Sequence, residues 1–379
     1  MHLPMIDMAK AAGAPDTELE EYLQRGPSHP DWDDDRVTDA DVIKVPGLWA
    51  EALYDISSRP TVAFFEKTRK ENPPGAQNIV ITNGEHCNYG GQGKGAKIGD
   101  RPLGDASFDF IGRNIAWLDR WMKDDTAAPM PKKPVTAYMA GANRWADFDA
   151  VPWAGRDPSR TFYLSGGRAN TLNGNGALLD QAPPTASVDT FTYDPANPVI
   201  AHGGEISGVG TDQEENDGAY DQREIEKRQD VLVYTSAPLT EDLAVFGYIE
   251  TELFVGSSAP DTDFTVKLVD VAPDGVAWNI SDTIQRMRFR EGDSKAVFMK
   301  PGETYRVTPP PMLAANVFLK GHRVRIEVSS SNFPSYARNL NTANDPYTST
   351  ETAIARNSVI ADPGKLSRIT LPVVKLPAR

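Results

Sequence analysis

The stretch VIKVPGLWAEALYD (Val42–Asp55), followed through a helical segment to NIVITNGEHCNYG (Asn78–Gly90), decides how this chain is read. Val42, Ile43, Val45, Leu48, Trp49 and Leu53 form a near-continuous apolar run. Such a run suits a strand buried on both faces, as in a parallel sheet. Ser57 or Ser58 can cap a following helix, Pro60 fits its first turn, and Asn72-Pro73-Pro74-Gly75 stops it. Gln77 to Thr82 reads as a second strand, and Asn83-Gly84 opens the loop that delivers His86. In parallel sheets, side chains just past the carboxyl ends of strands converge on one rim, where ligands bind. Asp55 and His86 fall there, one strand–helix–strand unit apart. An acid and a histidine so placed are two parts of a nucleophile–base–acid triad.

Other readings of both residues stay open on sequence alone. Asp55 also suits a carboxylate closing a strand-to-helix turn, and His86 also suits a loop histidine satisfied by backbone. The third member of a triad is a serine on a sharp strand-to-helix turn, with the pattern G-x-S-x-G. No such pattern occurs in the 379 residues. Cys87 adjoins His86, but chain neighbours on extended backbone point apart, so a buried structural thiol is expected rather than a nucleophile.

Outward from this stretch, Ser28 to Asp41 (SHPDWDDDRVTDAD) is acidic and reads either as a solvated loop or as a negative rim near the site. Residues 88–105 are rich in glycine but lack the strand-then-helix setting of a phosphate-cradling loop. A flexible surface loop is expected there. Phe108 to Lys123 is an amphipathic helix, with Ile111, Ile115, Leu118 and Met122 on one stripe expected to cover a sheet face.

Three prolines in AAPMPKKP (Ala127–Pro134) break the helical pattern, and two domains are expected, residues 1–131 and 132–379. The first alternates strand and helix. The second holds about ten short segments rich in Val, Phe, Tyr and Thr with no convincing helix, so the fold class is α/β followed by all-β, the latter a two-sheet jelly-roll sandwich. Asn316–Leu319 and Val324–Val328 read as a hairpin turning at Lys320-Gly321. Residues 202–229 read as one long surface loop.

The net charge is −14, which argues against nucleic acid and anionic membrane surfaces as partners. No apolar run is long enough to span a bilayer. The first residues lack the basic-then-apolar pattern of a signal peptide. A cytoplasmic location is mildly favoured, unless a longer parent chain carries a leader. One cysteine excludes an internal disulfide, and five scattered histidines argue against a metal site. No cofactor is expected.

The residues also carry a resemblance. DVLVYTSAPLTEDLAVFGYIETELFVGSSAPDTDFTVKLVDV (Asp230–Val271), NISDTIQRMRFREG (Asn279–Gly292) and ANVFLKGHRVRIEVSSSNFPSYARNLNT (Ala315–Thr342) are very similar to signature stretches of the cocaine-esterase/X-Pro dipeptidyl-peptidase (CocE/NonD) hydrolases. HPDWDD (His29–Asp34), VPGLWAEALYD, ITNGEH and IAWLDRWMKD (Ile115–Asp124) resemble stretches around that family's catalytic Asp and His. The resemblance implies the C-terminal part of an α/β-hydrolase domain followed by a galactose-binding-like jelly roll. It implies Asp55 and His86 as triad acid and base, with the serine and oxyanion donors in a half not found in these residues. It makes Asp33 and Asp34 candidates for binding a substrate ammonium. The loop GEHCNYG departs from the aromatic-spacer-His-Gly form of many members. The implied activity is serine-type hydrolysis of acyl-ester, amino-ester or peptide substrates. The chain is then expected to be a fragment of a longer hydrolase, or to pair with a separate chain carrying the serine or with a second copy of itself. The alternative is a non-catalytic remnant whose sandwich binds a ligand or partner.

Overall fold

The computed structural model describes residues 2–15, 17–32, 37–38, 40–86, 88, 93–205 and 217–376. Two short helices, α1 (Met8–Ala11) and α2 (Leu19–Gln24), lead to β1 (Gly47–Tyr54), α3 (Ser58–Glu71) and β2 (Gln77–Glu85). The strand expected from Val42 begins only at Gly47, after Pro46, and Val42 and Val45 lie exposed on the approach to it. Proline lacks the N–H that a ladder needs, so the strand starts beyond it. Helix α3 turns Val62, Phe65 and Thr68 into the core and carries Arg69–Glu66 and Lys67–Glu71 pairs on its outer side. Asn72 ends it, its amide donating to the carbonyls of Thr68 and Ile43 at 2.7 Å.

Residues 93–105, expected as loose loop, form the hairpin β3 (Lys94–Ile98) and β4 (Arg101–Asp105). Gly99 supplies the positive φ that the turn requires. Helix α4 (Phe110–Met122) is capped by Asp109, whose carboxylate accepts from the Gly112 N–H at 2.8 Å. It buries Ala116 and Trp117. The stripe expected to cover the sheet, Ile111, Ile115, Leu118 and Met122, is instead at least half exposed throughout. The first sheet is narrow. It has four strands in the order β1-β2-β5-β6, with β5 (Val135–Met139) and β6 (Arg144–Phe148). β1, β2 and β5 are parallel and β6 is antiparallel. Among the described residues the outer edge of β1 pairs with nothing. The strands at Val135–Met139 and Arg144–Phe148 therefore continue the first sheet beyond the expected division at 131/132.

The chain then runs through β7 (Ser159–Ser165), β8 (Ala177–Leu179), β9 (Ser187–Tyr193), β10 (Leu232–Ser236), β11 (Leu243–Ser257), β12 (Asp263–Val271) and β13 (Ala277–Arg286). β14 (Tyr305–Val307), β15 (Met312–Phe318), β16 (Arg323–Ser329), β17 (Ala355–Asp362), β18 (Lys365–Leu366) and β19 (Arg368–Pro372) complete it. These strands join into one hydrogen-bonded network. Phe264 and Leu268 near one end of it share a core with Val359 and Ala361 near the other, so the network folds over on itself as a sandwich.

The expected hairpin at Lys320-Gly321 does not form. β15 pairs with β11, while β16 pairs with β10 and β12. The Lys320 N–H instead donates to Asp242, and that of Gly321 to the Leu239 carbonyl, so the turn crosses between layers.

β11 joins the two halves. Leu243, Val245, Ile249, Leu253 and Val255 face the sandwich core, while Ala244, Phe246 and Tyr248 face the core under the first sheet. Strand alternation explains one strand serving both cores. Phe148 stacks on Phe246 with centroids 4.3 Å apart, and Trp153 on Tyr248 at 4.5 Å. Gly247 has φ +115°, and a Cβ there would stand 2.1 Å from the Pro152 carbonyl oxygen, so only glycine admits this approach.

Candidate active site

β1 ends at Tyr54, and Asp55 begins the turn into α3. One carboxylate oxygen, Oδ1, accepts from the Ser57 N–H at 2.8 Å and its hydroxyl at 2.9 Å. This is an Asx-type turn, which sets the entry of the helix. Oδ2 faces Nδ1 of His86 at 2.9 Å. The two sequence readings of Asp55 are thus compatible: one oxygen shapes the turn and the other meets the imidazole. Neither Ser57 nor Ser58 caps α3 with its side chain. The Ser57 hydroxyl is engaged by Asp55 and lies 3.4 Å from Glu51 Oε2.

The level of His86 is set by an irregularity in β2. Ala52 pairs with Thr82, but Tyr54 pairs with Glu85, so β2 carries one extra residue before its end. Such a bulge re-aims the side chains beyond it. Asn83 anchors it through a 2.7 Å bond from its amide to the Tyr138 carbonyl. The imidazole is 33% exposed and the Asp55 carboxylate 7%. The acid is buried and the base opens outward. With the Nδ1 hydrogen directed at the carboxylate, Nε2 keeps its lone pair for a proton from another group.

The surroundings of the pair are acidic. Glu51, buried on β1, has its carboxyl raised by desolvation. Asp217 lies close enough to His86 for the histidine to favour its charged form. Burial nevertheless dominates and pushes Asp217 up to about 6. Glu205 pairs with Arg59 of α3 at 2.9 Å, and burial raises it to about 8. Arg59 also donates to the Asp282 carbonyl at 3.3 Å, and Asp282 accepts from Tyr336 at 3.0 Å.

Glu205 and Asp217 escaped the sequence reading because residues 202–229 looked like solvated loop. Within them, Gln222–Lys227 forms a 3₁₀ turn with Gln222 and Glu226 buried, and Glu226 pairs with Arg325 at 2.6 Å. The glycine pair before Glu205 was the one available signal of a tight approach.

Asp33 and Asp34, the candidate ammonium ligands, lie outside the described residues, as does Cys87. Nearby Asp31 pairs with Arg25 at 3.4 Å, and Trp32 stacks on Tyr22. A cavity of about 800 Å³ lies between α2 and the sandwich, lined in part by Tyr22, Trp32, Arg286 and Tyr347. Neither Asp55 nor His86 lines it.

The family model described as the X-Pro dipeptidyl-peptidase C-terminal non-catalytic domain matches residues 127–370. The chain belongs to this family. It is 39% identical over 306 residues to cocaine esterase of Rhodococcus sp., covering 78% of this chain and 51% of the esterase. The chain thus spans about half the length of that curated relative. Among solved structures it superposes on an aminopeptidase from a marine sediment Thaumarchaeota archaeon with TM-score 0.83 at 25% identity, covering 97% of this chain and 62% of that one. An α-amino acid ester hydrolase gives TM-score 0.80 at 26% identity, covering 98% and 63%. A Staphylococcus aureus CocE/NonD hydrolase, at 11% identity and TM-score 0.64, shares the fold. The chain is therefore of the hydrolase family, with α/β and all-β parts as the sequence leads one to expect.

Proposed function

We propose that Asp55 and His86 are the acid and base of a serine hydrolase site, and that polypeptide outside these 379 residues supplies the serine. The observation that carries this reading is the 2.9 Å contact from Asp55 Oδ2 to His86 Nδ1 at two adjacent strand ends, with the imidazole open on its other side. As the serine oxygen bonds to the acyl carbon, its proton passes to His86 Nε2. The imidazolium then gives that proton to the departing alkoxide or amine. A water repeats the sequence to release the acid. Asp55 holds the ring throughout and stabilises its charged form.

The substrate class is an acyl ester, amino ester or peptide. Similarity to cocaine esterase and to an amino acid ester hydrolase supports ester cleavage. For amino esters, Asp33 and Asp34 are the proposed ligands of the substrate ammonium. The serine-bearing polypeptide has a place to dock. Among the described residues β1 offers an unpaired edge beside Asp55, and α4 shows its apolar stripe. An open edge of this kind recruits another strand.

The test is co-expression with the amino-terminal half of the Rhodococcus esterase, which is to supply an elbow serine. Ester turnover and fluorophosphonate labelling are expected only with both pieces present, and not with His86→Ala. Equal turnover by the His86→Ala assembly would sink the reading. The competing view, a β sandwich binding a ligand or partner without chemistry, draws on the family's description as non-catalytic. It gains if the assembled pieces never label.

A further inference from the structure

Two tyrosine hydroxyls tie the turn that carries Asp55 to the β sandwich. Tyr54 is the last residue of β1 and pairs with Glu85 of β2. Asp55 and His86 are the residues that follow these two, so this rung sets the level of both. Tyr54 is 2% exposed, and its hydroxyl donates to the Asn279 carbonyl of β13 at 3.0 Å. β13 bulges at that point: Val269 pairs with Asn279 and Leu268 with Ser281, which leaves Ile280 as the extra residue. A bulge opens the ladder locally, and the carbonyl that takes Tyr54 stands beside it. The Asn279 side chain is itself held, donating to the Gly218 carbonyl at 2.9 Å and accepting from the Tyr220 N–H at 2.7 Å.

The second hydroxyl acts on the far side of Asp55. Tyr248 of β11 donates to the main-chain carbonyl of Arg59, in the first turn of α3, at 2.8 Å. Tyr248 is fixed in turn. Its N–H donates to the Pro152 carbonyl and its own carbonyl accepts from the Ala154 N–H, each at 2.9 Å. Asp55 thus lies between two residues, Tyr54 and Arg59, each bonded to a different strand of the sandwich. Phenylalanine would fill the same space at both tyrosines, and a single neutral hydrogen bond adds little net stability. What the hydroxyls add is direction. The contact from Asp55 to His86 needs a carboxylate held to within about 0.5 Å by neighbours that are themselves locked.

We propose that Tyr54 and Tyr248 are positioning residues of the relay, through which the sandwich fixes where Asp55 stands. The proposal rests on reading Asp55 and His86 as a relay. The family model that covers β11 and β13 is described as non-catalytic, yet by this account its strands keep the triad acid against the base. Loss of either hydroxyl lets the carboxylate drift from the ring, and the imidazolium then loses part of its stabilisation. Among the described residues the other charged groups around the pair are Glu51, Arg59, Glu85, Glu205 and Asp217, and neither loss removes any of them.

The experiment is a proton and nitrogen-15 NMR titration of the full chain, labelled at histidine, with His86 assigned through His86→Gln. Tyr54→Phe should lower the pKa of His86 by about 0.5 or more. It should also reduce the share of neutral rings that carry their proton on Nδ1, the nitrogen facing Asp55. Tyr248→Phe should do both to a smaller extent. Tyr193→Phe is the control. Its hydroxyl donates to the Asn339 carbonyl at 3.0 Å inside the sandwich, so it loses a like bond while His86 should not move. An unmoved His86 in either folded Tyr54→Phe or Tyr248→Phe overturns the proposal. An equal shift in Tyr193→Phe also overturns it, because general loosening then accounts for the effect. If only one of the two relay variants folds, that one decides; if neither folds, the hydroxyls are structural and the proposal falls. The readout needs no turnover. If the assembled pieces fail to cleave ester while His86 still shifts, the hydrolase reading falls and the positioning role stands. If they cleave and His86 does not shift, only the positioning role falls.

Discussion

The molecule holds two histidine–aspartate pairs of nearly equal geometry. His86 Nδ1 lies 2.9 Å from Asp55, and His322 Nδ1 lies 2.8 Å from Asp270. Their settings differ. Asp270 is wholly buried, is bridged by Arg101 at 2.9 Å, and has Asn316 at 3.3 Å. Arg101 comes from the β3–β4 hairpin and Asp270 from the sandwich, so this pair bolts the two halves together. Among the described residues Asp55 has no cation on it, only Ser57 and the imidazole, with Glu51, Glu205 and Asp217 around it. A cation on the carboxylate uses its charge for cohesion. Carboxylates around an exposed imidazole leave the charge to serve the proton. The contact distance alone therefore does not identify a relay; the company it keeps does.

Four measurements can break or sharpen this contrast. In the assembled hydrolase, Asp55→Asn should reduce kcat by about 10⁴-fold, the order of loss when a triad acid is neutralised, while Asp270→Asn should act on stability first. Ester turnover and urea unfolding of both variants separate the two effects. Arg101→Met leaves Asp270 buried without its cation and should cost about 3–5 kcal/mol in the same unfolding curves. A loss near zero would dissolve the distinction between the pairs.

Third, the acidic surroundings predict a pH signature. Asp217 and Glu205 are raised from 3.8 and 4.5 to about 6 and about 8. Folding disfavours their ionised forms, so the stability they contribute is complete below the ordinary values and is lost as pH rises through the raised ones. Unfolding free energy should fall between about pH 4 and 8, and Asp217→Asn should remove the part lost by about pH 6. A wild-type profile parallel to that of the variant would refute it.

The smallest effect contrasts helices α3 and α4. Phe65→Ala on α3 should cost about 3–5 kcal/mol. Ile115→Asn on the exposed stripe of α4 should change stability by no more than about 0.5 kcal/mol in the isolated chain. A larger loss from Ile115→Asn would mean that the stripe is already covered.

Much of this was legible in the sequence. Val62, Phe65 and the Asn72–Gly75 stop marked α3, and Asp55 and His86 stood out because strand ends are readable from apolar runs and turn residues. What escaped was pairing between remote segments. Lys320-Gly321 looks like a hairpin turn, but Asp242 and Leu239 pull it between layers. The stripe of α4 has the right period, yet periodicity does not say whether a sheet lies beneath it. Glu205 and Asp217 sat in a polar, glycine-dotted stretch, and the Gly204–Gly218 backbone bonds and the Arg59 partner of Glu205 join segments remote from one another in the sequence.

From its sequence alone, this chain was bound to form an α/β segment ending in an acid and a histidine, then a long run of strands. Local propensity and apolar period act over a few residues, and they suffice for that. Only the tertiary structure chose which of two histidine–aspartate contacts faces outward, and which buried acids stand beside it. Those choices depend on segments more than a hundred residues apart meeting in one place, where burial and neighbouring charge, rather than residue type, set what a side chain can do.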